Sequence, residues 1–301
     1  MTLSDILETY APITLEEMSG IRLMNRTDTK FVATLSQLER LLVMARDSYR
    51  VQTIGRSRLA DYYTMYFDTP SCDMYRAHLC GRLNRQKLRI RSYVGSDLNF
   101  LEVKTKNNHG RTRKVRMPLR GFDPTAPRYD IRFTGKNCAP EGSLDFLHGA
   151  LRYAADSLVP KIENSFRRIT LVNKQKTERL TIDLDLCFHS LVTDHRVDLR
   201  HVVIIELKRD SLAFSPIVDM LRTLRIKPMG FSKYCMGMAM TDDTLRQNRF
   251  KPRKRRVFRL NAAPVPQPSA APRHVLLRFM PGHVVCPALW SCVSRAVSRL
   301  R

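Results

Sequence analysis

The chain has 301 residues, 43% of them hydrophobic, which is enough for one large domain or two ordinary ones with a sizeable core. It carries 52 Lys and Arg against 28 Asp and Glu, a net charge of +24, so a polyanionic partner is expected. Residues 250–301 hold 11 of the basic residues and no acid, and the first 249 keep 41 against 28, or +13, so the body is basic in its own right.

In chain order, the first eight residues carry acids and no signal-peptide pattern. Ser36-Gln-Leu-Glu39 reads as a capping box, followed by Leu38, Leu41, Leu42 and Ala45 on one helical face. Strand-like runs follow at residues 62–68, 86–94, 100–106 and 112–118, and His109-Gly110 after Asn107-Asn108 links the last two as a hairpin. A helix near Ser143 aligns Leu144, Leu147, Leu151 and Ala154. Strand runs return at 167–172, 178–186 and 202–208. Ser215-Pro216 opens a further helix with Ile217, Met220, Leu221 and Leu224 on its apolar side, and a short helix is expected from Ser232. The class is therefore α+β with antiparallel pairing.

The tail is assigned to residues 246–301, leaving 1–245 as the folded domain. It opens on the basic run 251–256 and continues through a Pro/Ala-rich stretch that cannot form a core. The basic run is a candidate contact for nucleic acid or an anionic surface, against the plainer alternative of a solvated, disordered segment. No run of about 18 apolar residues predicts a transmembrane helix. The seven cysteines, an odd number without a CxxC, fit free thiols in a reducing, cytoplasmic setting.

Strand parity carries the functional signal, because alternate residues face opposite sides. Lys87, Arg89 and Arg91 oppose Leu88 and Ile90. Glu102, Lys104 and Lys106 oppose Leu101 and Val103. Lys114 and Arg116 oppose Val115 and Met117. Arg168 and Thr170 share a face, as do Arg179, Thr181, Asp183 and Asp185, and Glu206 and Lys208. Arg167 competes with Arg168, since a one-residue register change swaps them. Like charges on one sheet face repel, so an anion should compensate them. Two architectures accommodate the pattern: an open sheet with its charged face in water, or a closed barrel with the charges inward. Guanidinium forks and ammonium groups suit phosphate oxygens. A carboxylate among them, Glu206 or Glu102, suits Mg2+ or Mn2+ shared with phosphate, or simply an ion pair with Lys104 or Lys208.

The ordered segments Arg26-Thr-Asp28-Thr-Lys30-Phe31, Tyr66-Phe-Asp68-Thr69, Lys87-Leu-Arg89-Ile-Arg91, Phe100-Leu-Glu102-Val-Lys104-Thr-Lys106, Arg179-Leu-Thr181-Ile-Asp183, Ile205-Glu206-Leu-Lys208 and Phe231-Ser-Lys233-Tyr234 resemble the VTC domain of vacuolar transporter chaperone-type polyphosphate polymerases, in a bacterial stand-alone form. The resemblance covers roughly residues 20–240. It implies the triphosphate tunnel metalloenzyme (CYTH-like) fold: a closed eight-stranded antiparallel β-tunnel with a basic interior and helices outside. It implies transfer of the terminal phosphate of ATP onto polyphosphate with Mn2+ or Mg2+. Lys30 and Lys233 would act at the terminal phosphate, Arg89, Arg91, Lys104, Arg168 and Arg179 would clamp the chain, and Glu206 would hold the metal. Glu102 joins it, and Lys87, Lys106, Lys114, Arg116 and Lys208 join the clamp, on strand parity. Many tunnel enzymes open with Glu-x-Glu-x-Lys, where this chain has Arg26, Asp28 and Lys30. That departure favours the polymerase branch over hydrolytic and cyclase branches. No phosphate-sensing module or channel is read here, so coupled export is not expected. A triphosphatase on the same site, or a non-catalytic polyphosphate- or nucleotide-binding module, are the alternatives.

Overall fold

The computed structural model describes residues 2–19, 26–96, 98–120, 142–210 and 214–262. Its elements in order are α1 (Leu3–Glu8), β1 (Ala11–Ile13), α2 (Leu15–Ser19), β2 (Arg26–Thr34), α3 (Leu35–Ala45), β3 (Tyr49–Gln52), β4 (Ala60–Asp68), α4 (Asp73–Leu79), β5 (Arg85–Tyr93), β6 (Asn99–Lys106) and β7 (Thr112–Pro118). Then come α5 (Ser143–Ala150), β8 (Val159–Asn173), β9 (Glu178–Ser190), β10 (Arg196–Leu199), β11 (Val202–Asp210), α6 (Pro216–Thr223), α7 (Lys233–Thr241) and α8 (Lys251–Asn261).

The strands form one large sheet whose main path runs β2-β11-β9-β8-β4-β5-β6-β7, antiparallel at every step. The path is open. Among the described residues its end strands β2 and β7 do not pair with each other, so the closure expected for a tunnel is not seen. Part of the free edge of β2 is taken by the segment before α7. Phe31 bridges Pro228, and the Met229 amide donates to the Lys30 carbonyl at 2.8 Å.

The sheet is nevertheless strongly curled. Lys104 on β6 and Glu206 on β11 are five strands apart, about 24 Å in a flat sheet at 4.8 Å per strand. Yet the charges of Glu206 and Lys30 act on the Lys104 ammonium. Such action would be largely screened across a flat sheet.

The outer face carries the apolar half of the strand pattern and is buried under helices. Leu38, Leu41 and Leu42 of α3, Ile6 and Leu7 of α1 and Ile217 and Leu221 of α6 pack with Ile169, Leu171, Leu180, Ile182, Val203 and Ile205. Leu147 of α5 joins the cluster that holds Leu88, Ile90, Leu101 and Val103. Each such side chain taken out of water is worth roughly 1.5–3 kcal/mol, so the apolar face has no freedom to turn outward.

A buried helix lies against the inner face. In α7 every residue from Tyr234 to Thr241 is buried. A side chain at Gly237 would collide with Ile162 and Phe188, so only glycine lets this helix sit so close to β8 and β9. The Asp68 carboxylate fixes the arrangement from beneath. It accepts from the amides of Thr69, Met74 and Tyr75 at 2.7, 2.9 and 2.9 Å and from the Tyr234 hydroxyl, tying β4, the start of α4 and α7 together.

Several local expectations shift. The cap of α3 is Thr34 with Gln37, two residues before the predicted box, because β2 runs straight into the helix and both sites satisfy the same spacing. The helix at Ser143 stops at Ala150, with Leu144 more than a third exposed. Ser215 precedes Pro216 as expected, but its side chain makes no capping bond. Ser232 does cap α7. The strands β8 and β9 are longer than their apolar runs. The chain also does not leave the fold at residue 246. Helix α8 buries Val257 beside Phe250, and Lys254 donates to the Ala239 carbonyl at 2.9 Å and pairs with Asp243 at 2.8 Å. Its few anchoring residues are hidden among arginines, which is why composition read the segment as solvated. The rest of the tail, from residue 263, lies outside the described residues. Cys72, Cys80, Cys187 and Cys235 are unpaired. Among the described residues no helix is long and apolar enough to cross a membrane.

Removing the Asp68 carboxylate strands two helix amides and a buried phenol. Asp68→Ala should cost about 3 kcal/mol in urea unfolding. A loss below about 1 kcal/mol would show that this network does not hold α4 and α7 in place.

Candidate functional site: a basic inner face held by three carboxylates

The inner face of the curled sheet gathers cations from almost every strand. Three carboxylates lie among them, and each binds two. Asp183 on β9 accepts from Arg168 on β8 at 2.6 and 3.0 Å, in a fork-to-carboxylate pair, and from Lys233 at the first turn of α7. Glu102 on β6 accepts from Arg89 on β5 at 2.6 and 2.8 Å and from Lys114 on β7 at 3.1 Å. Glu206 on β11 pairs with Lys30 on β2 and with Lys208 at 3.3 Å.

The acids lie deeper than most of the cations. Side-chain exposure is 2% for Glu102 and 6% for Asp183, against 46% for Lys114 and 21% for Arg89. A ligand arriving from solvent would therefore meet the positive groups first. Burial pushes all three carboxyls up. The adjacent cations outweigh it, so each sits well below the ordinary carboxylate range and is ionised.

Burial and crowding lower several of the cations in turn. Lys233 is pushed down to about 7, mainly by burial, with Asp183 opposing and Arg168 reinforcing. Lys104 falls to about 8, through partial desolvation on the crowded face and through Lys87, Arg89 and Lys30, against Glu206, although its side chain still reaches solvent. Arg91 falls only to about 10, through burial and its neighbours Arg89 and Arg168. Its Nε is buried and makes no hydrogen bond among the described residues. An anion in this space would restore what burial and mutual repulsion take away.

The start of α7 completes the face. Ser232 accepts from the Lys87 ammonium at 2.7 Å while its hydroxyl also caps the helix. Lys233 reaches Asp183 and lies 4.0 Å from the Phe166 ring centroid. The helix N-terminus thus points its partial positive charge into a space already lined by ammonium and guanidinium groups, an arrangement that favours phosphate. Arg168 and Arg91 stand over the Tyr62 ring at 4.8 and 5.5 Å, and Tyr62 is stacked on Phe166.

Of the residues singled out in the sequence, the structure brings Lys30, Lys87, Arg89, Arg91, Lys104, Lys114, Arg168, Lys208, Lys233, Glu102 and Glu206 to this face. Arg179 lies opposite Lys208 in register. Lys106 lies at the strand end opposite Arg85, and Arg116 packs on the Phe100 ring at 4.4 Å on the edge strand. The competition between Arg167 and Arg168 is resolved by a bulge between Ser165 and Arg167. Arg168 turns inward, and Arg167 turns out to pair with Asp185 at 2.5 Å. Asp185 takes a positive φ of 50° there, which breaks the strict alternation of β9. Asp183, Ser232, Tyr62 and Phe166 were not among the predicted site residues. Strand parity does place Asp183 on the charged face, and it is the acid with the closest cation pairs.

Among the described residues no three His, Cys, Asp or Glu converge to hold a metal. Each of the three carboxylates is already paired with cations. A divalent ion fits only as one shared with phosphate oxygens, since Mg2+ is commonly held by one or two carboxylates plus a phosphate.

An antiparallel sheet with helices packed against it defines an α+β protein. The VTC domain family model matches residues 25–241, and the chain belongs to that family. No curated protein matches it. Solved structures similar to it include a candidate adenylate cyclase from Bacillus halodurans (16% identity, 69% of this chain and 96% of that one, TM-score 0.45). A candidate adenylyl cyclase from Hippeastrum with a dominant triphosphatase activity is similar too (14%, 73% and 97%, TM-score 0.42), as is the PH1819 protein of Pyrococcus horikoshii OT3 (12%, 69% and 93%, TM-score 0.37).

Because Lys233 titrates at about 7, its charge is present at pH 6 and mostly gone at pH 8. Tripolyphosphate affinity should fall across that window relative to Lys233→Arg, which keeps its charge throughout. Calorimetric titration at pH 6 and pH 8 measures the ratio. A ratio that does not change with pH would mean that Lys233 does not contact the anion through a titrating ammonium.

Proposed function

We propose that the inner face binds the triphosphate of ATP and transfers its terminal phosphate to a polyphosphate chain. The observation that carries this is the exchange the three carboxylates allow. Asp183, Glu102 and Glu206 hold six cations in the free protein, and a triphosphate offers those same cations more oxygens at greater charge. Family membership supports the same reading.

In this proposal Arg89, Arg91, Lys104, Arg168 and Arg179 clamp the phosphates, with Lys87, Lys106, Lys114, Arg116 and Lys208 as outer contacts. Lys30 and Lys233 lie along the terminal phosphate. As Lys30 and Lys208 move to phosphate oxygens, Glu206 is left free to take a metal ion, with Glu102 as the second candidate. Mn2+ or Mg2+ held there would neutralise charge on the transferring group. Phosphoryl transfer is mostly positioning and electrostatics. A terminal oxygen of the polyphosphate attacks the γ-phosphorus, and a new P–O bond forms. The bond to the β-phosphate oxygen breaks, and that electron pair leaves with ADP. The sheet supplies guanidinium and ammonium groups on the flanks of the line that these atoms share. If water takes the place of the chain end, the same geometry gives a triphosphatase.

Incubation with ATP and Mn2+, with polyphosphate resolved on gels and ADP and free phosphate measured, tests the proposal. Long chains with ADP and little free phosphate are expected. Arg89→Ala and Glu206→Gln should each lower turnover by about 100-fold or more; Arg89→Ala also leaves Glu102 with Lys114 alone and lowers stability, so turnover is read well below its melting temperature. Free phosphate without chains would replace polymerase by triphosphatase. Binding without turnover would leave a binding module.

A further inference from the structure

The inner face continues at one end into a second group of cations, of which the proposed clamp uses only Lys106, as its outermost contact. Arg85 begins β5 and Lys106 ends β6, opposite each other in register. Next to them lies the chain around the start of α8. The Arg253 guanidinium carbon is 3.9 Å from the position a Cβ would take at Gly230, two residues before Ser232. The Arg249 guanidinium lies over Gly81, whose φ of 73° favours glycine. Arg253, Gly230, Ser232 and Lys87 therefore form a contiguous line from α8 down to the site, the last step being the 2.7 Å bond from Lys87 to Ser232.

His78, between these elements, records how one-sided the charge is. Its ring packs 6.0 Å from Phe250, and its buried Nδ1 has no hydrogen-bond partner. Burial and the positive charges of Lys87, Arg85, Arg253 and Lys106 hold it far below the ordinary histidine range. None of Arg85, Lys106, Arg249 and Arg253 forms a salt bridge among the described residues. On the inner face, by contrast, carboxylates hold six cations. Cations left without internal counterions beside such a face await an external one.

We propose that this rim, Arg85, Lys106, Arg249 and Arg253, is the subsite that carries a linear polyphosphate beyond the phosphates held on the inner face. It rests on the reading of that face as a phosphate site and adds to it a length preference. Arg249 and Arg253 lie past the end of the family match at residue 241, so the preference belongs to what this chain adds to the domain. A flexible chain of phosphates fits the line better than nucleic acid does. The rings packed here, Tyr75 and Phe250, are buried against each other and offer no face for base stacking.

The test uses the full chain and the double variant Arg249→Gln/Arg253→Gln, with tripolyphosphate, long-chain polyphosphate and single-stranded RNA as probes. Wild type should bind long chains more tightly than tripolyphosphate. The double variant should lose about tenfold for long chains, with a salt dependence shallower by about 1.4, the value for two contacts on a flexible polyanion. Its affinity for tripolyphosphate should stay unchanged, which also shows that it is folded. Equal affinity of wild type for both phosphate probes, or a loss shared by both in the variant, would overturn the rim and leave the inner site standing. RNA bound more tightly than polyphosphate, and lost in the variant, would make the rim a nucleic-acid surface and overturn the proposal. Failure of wild type to bind tripolyphosphate at all would overturn the inner site itself, and the rim proposal with it.

Discussion

Like charge crowded onto one sheet face is the constraint around which the molecule is arranged. Cations directly opposite one another, such as Lys87 and Lys104 or Lys104 and Lys114, disfavour pairing of the strands that carry them. Two features offset this. The outer faces of the same strands are buried against helices, so the strands cannot turn over without exposing Leu88, Ile90, Leu101 and Val103. Glu102, Asp183 and Glu206 each join neighbouring elements: β6 to β5 and β7, β9 to β8 and α7, β11 to β2. The three acids act as internal counterions, enough to let the face form and too few to neutralise it. Leaving one unpaired by removing its cations would strand a buried charge, so the pairs are stronger as structural requirements than as net contributions to stability.

The position of α7 follows from the same balance. Its apolar residues fill the part of the inner face where β8 and β9 carry Ile162 and Phe188, so the trough is apolar at one end and charged beyond it. The boundary falls at Ser232 and Lys233, where the helix begins. Asp68 anchors the neighbouring Tyr234, which transmits the packing of α4 and β4 to the placement of the Lys233 ammonium. Positioning the site and building the core are here one act of packing. The open pairing path fits this picture, because the edge of β2 is taken up by the segment that leads into α7 rather than by β7.

Much of this was legible in the sequence because the period of two is strict from Arg85 to Arg91 in β5 and from Glu102 to Lys106 in β6, where every second residue is charged. Parity alone assigned Lys87, Arg89, Arg91, Glu102 and Lys104 to one face. It failed where geometry breaks the period. The bulge at Ser165–Arg167 and the positive φ of Asp185 leave Arg167 and Arg168 indistinguishable by pattern. Asp183 was visible on the charged face, but its importance comes from a lysine fifty residues later that only folding brings near. Closure of the sheet could not be read from pattern at all, since the charge pattern suits an open sheet as well as a closed one. Helix α8 was hidden by its composition: Val257 and the stem of Lys254 do the packing, and four arginines surround them.

The division between Arg and Lys on the inner face bears on how such a site can both fold and bind. Burial and repulsion must lower the charge somewhere. A guanidinium starts from a higher value, so Arg91, lowered about as far as Lys104, still reaches only about 10 and stays charged at any ordinary pH. The ammoniums of Lys233 and Lys104, at about 7 and 8, take up the strain. The free protein can therefore shed part of its positive charge near neutral pH, and on the proposed reading a bound phosphate would restore it, drawing protons with it. The arginines are the fixed part of the face and set its shape. The lysines are the part that responds, and an anion reaching Lys233 would compete there with the Asp183 carboxylate.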